Sequence, residues 1–166
     1  MPIQQKPAAV RIIGIDPGFN RMGMAVVECA KGKKETLMWS TCVVSSPTLP
    51  FEERLMLLAR EFESALEKYA PQIVSLEKIF FTNNQRTGIA VAEVRGMLRY
   101  LAGKHQLIIM EYTPQQIKQS VTGYGNADKK QVAHMVSLLL TLPHKPRHDD
   151  EYDAIAASLT ALGYVR

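Results

Sequence analysis

Four carboxylates crowd into a short segment near the carboxyl end of the chain. Asp149, Asp150, Glu151 and Asp153 occur in HDDEYDAIAA, just before a run of small and apolar residues. Acidic side chains in the first turn of a helix oppose its dipole and cap its free amides, which accounts for two of them. Four like charges also repel one another, and a bound cation would relieve that repulsion. The segment alone leaves helix capping and metal binding both open.

Two further carboxylates fall at the ends of predicted strands. Asp16 closes the segment VRIIGID before a Pro-Gly turn, and Glu77 interrupts the apolar segment IVSLEKIFF. Each has an ordinary explanation, because Asp before Pro-Gly caps a turn and a strand Glu can point to solvent. A Glu that does not reach solvent needs a partner to offset its desolvation. On the last helix, Asp150 and Asp153 are three residues apart and therefore share one face.

Together these carboxylates can converge at one edge of a sheet. A site lined only by oxygen ligands suits Mg²⁺ or Mn²⁺ and disfavours zinc. In a two-metal site, ions about 4 Å apart activate the attacking water and stabilise the leaving oxygen of a phosphodiester. The pattern therefore predicts metal-dependent hydrolysis of nucleic acid.

The elements that must position these residues are predicted in the order βββαβαβααα. Apolar runs and turn signals predict strands at 10–16, 22–30, 37–46, 72–81 and 107–112. Helical periodicity predicts helices at 51–70, 89–105, 113–123, 128–142 and 149–165, with Asp128 as a cap. This order indicates an α/β fold, a mixed five-stranded sheet with helices on both faces. Residues 10–166 are expected to form one domain behind a flexible leader at 1–9.

Composition bounds the class of protein. The chain has 166 residues, 46% hydrophobic, and no apolar run long enough to span a bilayer, which excludes a membrane-embedded role. Its first residues lack a signal-peptide core and its only cysteines are Cys29 and Cys42, so we expect a cytoplasmic protein without a disulfide framework. The net charge of +4 only weakly favours a polyanionic partner.

Four segments together resemble the bacterial RuvC family of Holliday junction resolvases: GIDPG, LEKIFF, TPQQIKQSVTGYGNADKKQVAHMV, and D-x-x-D followed by AIA. The resemblance implies an RNase H-like fold and a crossover-junction endodeoxyribonuclease that resolves four-way DNA junctions in recombination and repair. It also implies that Mg²⁺, for which Mn²⁺ can substitute, is bound by a catalytic set of Asp16, Glu77, Asp150 and Asp153. Spacing alone selects Asp150 over Asp149, and His148 lies beside the pair, so that position stays open.

The resemblance extends to DNA contacts. Phe80 matches an aromatic residue that family members place against the junction, where it can stack on an unpaired base. A core position for Phe80, or the stacking role for Phe81, is the alternative, since strand alternation turns only one of the two inward. Lys118 and Lys129 match basic positions that contact DNA, although each is ordinarily a solvated lysine.

The resemblance further implies a homodimer that makes paired nicks and works with branch-migration proteins. The helix predicted to begin at Ile89 supports a second copy, because its apolar residues occupy more than one face: Ala90, Val91, Val94, Met97, Leu98 and Leu101. Two other functions remain: a nuclease of the same fold that acts on structured RNA, and a junction-binding module that does not cut. The four carboxylates argue against a pure binder, because acids near phosphates weaken DNA binding.

Overall fold

The computed structural model describes residues 9–78, 85–143 and 145–165. Its strands are β1 (Ala9–Asp16), β2 (Arg21–Ala30), β3 (Thr36–Val44), β4 (Ile73–Glu77) and β5 (Ile108–Tyr112). Its helices are α1 (Phe51–Tyr69), α2 (Gln85–Lys104), α3 (Pro114–Thr122), α4 (Lys129–Leu139) and α5 (Asp149–Val165). The predicted order of elements is confirmed. The first strand begins one residue earlier than predicted, and the rest of the predicted leader lies outside the described residues.

The five strands form one mixed sheet in the order β3-β2-β1-β4-β5. β1 runs antiparallel to β2 and parallel to β4, β2 is antiparallel to β3, and β4 is parallel to β5. The register pairs Asp16 with Gly23 and Gly23 with Cys42, so these three residues form a row across β1, β2 and β3. Ile15 pairs with Leu76, which brings the next residue on β4, Glu77, level with Asp16.

Helices cover both faces of the sheet, as predicted. On one face, α1 and α2 pack Phe62 and Leu98 against strand residues such as Ile13. On the other face, α3, α4 and α5 pack against residues such as Ile12 and Ala25. Because both faces are buried, the central strand is apolar at nearly every position rather than at alternate ones. Among the described helices, none is both long enough and apolar enough to cross a membrane.

Helix α5 lies unusually close to the sheet because two strand residues lack side chains. A Cβ atom built on Gly14 would lie 2.1 Å from the carbonyl oxygen of Ala154, and one on Gly23 would lie 1.9 Å from that of Asp150. The Ser158 hydroxyl donates to the carbonyl of Ala25 at 3.1 Å and reinforces the contact. The close approach places the acidic first turns of α5 directly over the ends of β1 and β2.

Candidate metal centre

Three of the predicted carboxylates line one cavity. Asp16 at the end of β1, Glu77 at the end of β4 and Asp153 in the second turn of α5 surround a space of about 300 Å³. Lys118 from α3 and Lys129 from α4 complete its polar wall. Lys129 is the first residue of α4, and Lys118 lies midway along α3. Both helices begin with a capping box, in which Thr113 and Asp128 each accept a bond from the third helical residue. The predicted cap at Asp128 is confirmed.

The cavity strongly disfavours the ionised form of Asp16. Burial, followed by the negative charges of Asp153, Glu77 and Asp150, raises the pKa of Asp16 from 3.8 to about 7. Lys129 opposes the rise but does not cancel it. An acid whose pKa is raised by other acids indicates a site with too little positive charge.

The other two carboxylates in the cavity behave in the same way. Burial and the charge of Asp153 raise the pKa of Glu77, against the opposing charges of Lys118, Lys129 and Arg95. Burial also raises the pKa of Asp153, although Lys129 Nζ lies 3.4 Å from its Oδ2 atom and acts against the shift. Lys129 thus neutralises the cluster only in part.

Asp150 belongs to the same electrostatic cluster but its side chain faces a neighbouring space. Its Oδ2 atom lies 3.4 Å from Arg21 Nε and accepts a bond from Cys42 Sγ at 3.7 Å. Together with Gly18 and Arg21 it lines an adjoining cavity. Its charge still contributes to the raised pKa of Asp16, and burial and Asp150 likewise raise the pKa of the Cys42 thiol to about 11.

The remaining two acids of the cluster have different environments. Asp149 is exposed at the first position of α5, as a helix-start acid should be. Glu151 does more than cap the helix, because its buried carboxylate accepts bonds from Ser40 Oγ at 2.6 Å and Lys145 Nζ at 3.1 Å as well as one from the backbone of His148. Burial would raise the pKa of Glu151, but these bonds and the positive charge of Lys145 together outweigh it and lower the pKa. Glu151 ties α5 to β3.

Two buried arginines that sequence reasoning missed fix the strand ends around the cavity. Arg95 on α2 donates to the carbonyl of Glu77 and pairs with Glu111 on β5. Arg54 on α1 donates to Asn20 Oδ1 at 2.5 Å and to Ser45 Oγ, which holds the turn after Asp16. The available signal was periodicity, because each arginine falls on the apolar face of its helix.

The proposed DNA-contacting residues divide into two groups. Lys118 and Lys129 lie at the cavity rather than on a remote surface, and Lys129 pairs directly with Asp153. Phe80 and Phe81 fall between residues 78 and 85, outside the described residues, so their alternative roles stay predictions. His148 is exposed and precedes α5 on the side that faces Cys42.

The donor set fits a hard divalent cation. Among the described residues that line the cavity, the only polar side chains are those of the three acids and the two lysines. Carboxylate oxygens are the ligands that Mg²⁺ and Mn²⁺ prefer. The mutual raising of pKa values shows that added positive charge would stabilise the ionised acids.

Comparison with known proteins gives one consistent relationship. The family model described as crossover junction endodeoxyribonuclease RuvC matches residues 12–161. A protein of that name from Thermomicrobium roseum is 42% identical over 158 residues, covering 95% of each chain. Another, from Leifsonia xyli, is 37% identical over a region that covers 90% of this chain and 72% of the relative.

Solved structures agree with the sequence relatives. The structure of T. thermophilus RuvC in complex with Holliday junction substrate matches with a TM-score of 0.87 and 31% identity, covering 95% of both chains. A yeast mitochondrial Holliday junction resolvase, at 14% identity and a TM-score of 0.66, shares the fold. The superposition covers 93% of this chain and 77% of the yeast protein.

Proposed function

The chain belongs to the RuvC family of crossover junction endodeoxyribonucleases, and on that premise we propose that it resolves four-way DNA junctions during recombination and repair. It has the RNase H-like fold expected from the resemblance. The observation that carries the proposal is the convergence of Asp16, Glu77 and Asp153 on one cavity, with Asp150 close enough to act on Asp16. A pure DNA-binding module would gain nothing from this repulsive arrangement.

The catalytic set in this proposal is Asp16, Glu77, Asp150 and Asp153, and its cofactor is Mg²⁺, for which Mn²⁺ can substitute. A bound divalent cation supplies charge stabilisation to the phosphodiester and lowers the pKa of water. The four carboxylates would hold it through oxygen atoms from two strand ends and one helix. Arg95 donates to the carbonyl of Glu77 and Arg54 to Asn20 in the turn after Asp16, which supports a metal site that is formed before DNA binds.

Substrate contacts come from the walls of the cavity. We assign Lys118 and Lys129 to the phosphates that flank the cut, because their amines already lie beside the carboxylates. Phe80 is assigned to stacking at the opened crossover, with Phe81 as the competing residue. Because the lysines lie beside the acids, a phosphate bound in the cavity would contact both the proposed cation and a lysine amine.

The assembly proposed here is a homodimer, since a two-fold-symmetric junction needs two strands cut at equivalent positions. Branch-migration proteins are the proposed partners, and the cytoplasm is the proposed location. Residues 10–166 are proposed to act as one nuclease domain.

Cutting of synthetic junctions tests the function. With Mg²⁺, the wild-type chain should cut four-way junctions in preference to duplex DNA and structured RNA, and EDTA should stop the cutting.

Removing any one of the four carboxylate charges should abolish cutting while junction binding persists, because each variant loses a metal-directed charge. The variants are Asp16→Asn, Glu77→Gln, Asp150→Asn and Asp153→Asn. Asp149→Asn is the matched control and should cut normally. Preferential cutting of RNA would favour the alternative nuclease, and binding without cutting would favour the non-catalytic module.

A further inference from the structure

A second set of metal-ligating side chains lies beside the carboxylate cavity. One ligand atom each from Cys42, His148 and Asp150 lies within 4.8 Å of the others. A thiol, an imidazole and a carboxylate form a donor set unlike the oxygen-only set of Asp16, Glu77 and Asp153. Sulfur and nitrogen ligands favour Zn²⁺ and related ions over Mg²⁺.

The fold itself brings these three residues together. Cys42 pairs with Gly23 in the sheet, and the bare backbone of Gly23 lets the start of α5 lie against it. The contact between Cys42 Sγ and Asp150 Oδ2, at 3.7 Å, follows from that row. The carbonyl of His148 accepts a bond from the Glu151 amide at 3.0 Å, so His148 is held to the first turn of the helix.

Positive charge near the cluster does not close it to a cation. Arg21 Nε lies 3.4 Å from Asp150, but its side chain is 53% exposed and can turn into solvent. Lys145 is already committed to Glu151 and to the carbonyl of Ser40. The side of the cluster occupied by His148 is exposed, which leaves a route for an ion to enter.

We propose that Cys42, His148 and Asp150 bind a borderline transition-metal ion such as Zn²⁺, and that binding inhibits the enzyme by withdrawing Asp150 from the catalytic set. On binding, the Cys42 thiol releases its proton to solvent and ligates as the thiolate. The binding site stands independently of the proposed function, whereas the inhibition rests on it. Asp150 is the shared residue, so occupation of this site competes with the all-carboxylate arrangement that Mg²⁺ needs.

Cobalt provides a direct probe of the site, because a thiolate bound to Co²⁺ gives a charge-transfer absorption band in the near ultraviolet. The full chain, in excess Mg²⁺, should develop this band with one Co²⁺ per chain and lose it when Zn²⁺ is added. Since even supporting residues around a metal site contribute about 10- to 100-fold to affinity, Cys42→Ser should abolish the band and His148→Gln should weaken Co²⁺ binding at least about tenfold.

Cys29→Ser is the matched control. Cys29 lies towards the other end of β2, opposite Val10, and should leave the band unchanged. Circular dichroism confirms that each variant is folded. Absence of the band in the folded wild-type chain, or its survival in Cys42→Ser, would overturn the site.

Junction cutting then tests inhibition. Zn²⁺ added to Mg²⁺-dependent cutting should inhibit the wild type and Cys29→Ser at concentrations at least about tenfold lower than those needed for Cys42→Ser and His148→Gln. Equal inhibition of all four would overturn the inhibitory role. If the wild type does not cut even without Zn²⁺, the proposed function fails, while the cobalt titration still judges the metal site.

Discussion

Asp16 is held where its own ionisation is opposed, at the end of β1 among three other acids. In the metal-free protein its pKa is about 7, raised mainly by burial and then by Asp153, Glu77 and Asp150. A carboxyl whose pKa is higher in the folded than in the unfolded chain binds more protons when folded. Folding therefore loses stability as pH rises from about 4 to about 7, and the loss is constant above that range. Asp16 is maintained at the expense of stability.

Replacing Asp16 with asparagine should stabilise the metal-free protein. In EDTA, the free energy of unfolding of Asp16→Asn should exceed that of the wild type by an amount that grows from about pH 4 to about pH 7, to at most about 4 kcal/mol. Urea unfolding at a series of pH values measures it. Mg²⁺ should narrow the gap by stabilising ionised Asp16. Asp149→Asn, at an exposed position, should show no such gain, and a pH-independent difference for Asp16→Asn would contradict the cause given.

Lys129 is expected both to contact a DNA phosphate and to neutralise the acids in part, and Lys129→Ala tests the two roles with different measurements. Its amine lies 3.4 Å from Asp153 and its side chain is 62% exposed, so the amine can pair with the acids or with a phosphate. Lys129→Ala should flatten the salt dependence of junction binding by about one unit of log-log slope. It should also lower the Mg²⁺ concentration needed for cutting, because a competing positive charge is gone. Lys130→Ala, at the exposed neighbouring residue, is the control for both measurements. An unchanged slope for Lys129→Ala would leave that lysine outside the DNA contact.

At the scale of elements, the site depends on how closely α5 approaches the sheet. A methyl group at Gly14 would meet the Ala154 carbonyl, next to Asp153, at 2.1 Å. Neither backbone can yield without moving the helix, so Gly14→Ala should cost about 1 to 3 kcal/mol or more and reduce cutting as Asp153 shifts. Urea unfolding and junction cutting measure the two effects.

Gly163→Ala, near the end of α5, is the matched control, because a Cβ atom there meets no neighbour within 4 Å. It should leave cutting unchanged and raise stability by up to about 1 kcal/mol through the higher helix propensity of alanine. Equal stability of Gly14→Ala and wild type would mean that the close packing of α5 does not hold the site.

The sequence was sufficient to predict the order of elements, because each strand and helix carries its own periodic pattern and cap. The positions of Asp16 and Glu77 at one edge of the sheet were also predictable, since both residues lie at the ends of apolar strands. The role of Glu151 was not, because its partner Ser40 lies more than a hundred positions away and nothing local distinguishes it from Asp149. The orientation of Asp150 depends in the same way on Arg21 and Cys42, which only the sheet register brings near.

At the scale of the whole molecule, α2 carries two large apolar residues that the single chain leaves uncovered. Val94, Leu98 and Leu101 are buried against the sheet. Ile89 and Tyr100, eleven residues apart and so three turns along the same side, are 61% and 71% exposed. The six residues from which excess apolar surface was predicted are themselves buried or partly buried, so a homodimer that covers Ile89 and Tyr100 stays our proposal.

Charge placed on that face should separate the two copies. Tyr100→Glu and Ile89→Glu should convert a dimer to a monomer in light scattering, because a buried unpaired carboxylate opposes association. Both positions are exposed in the single chain, so each variant should keep its fold, with stability within about 0.5 kcal/mol of the wild type. Paired cutting of one junction should be lost, since it needs two active sites at once.

Met56→Glu, at an exposed apolar residue on α1 that is 51% accessible, is the control and should stay dimeric. A monomeric wild type that cuts both strands, or a dimer that survives Tyr100→Glu and Ile89→Glu together, would remove α2 from the interface.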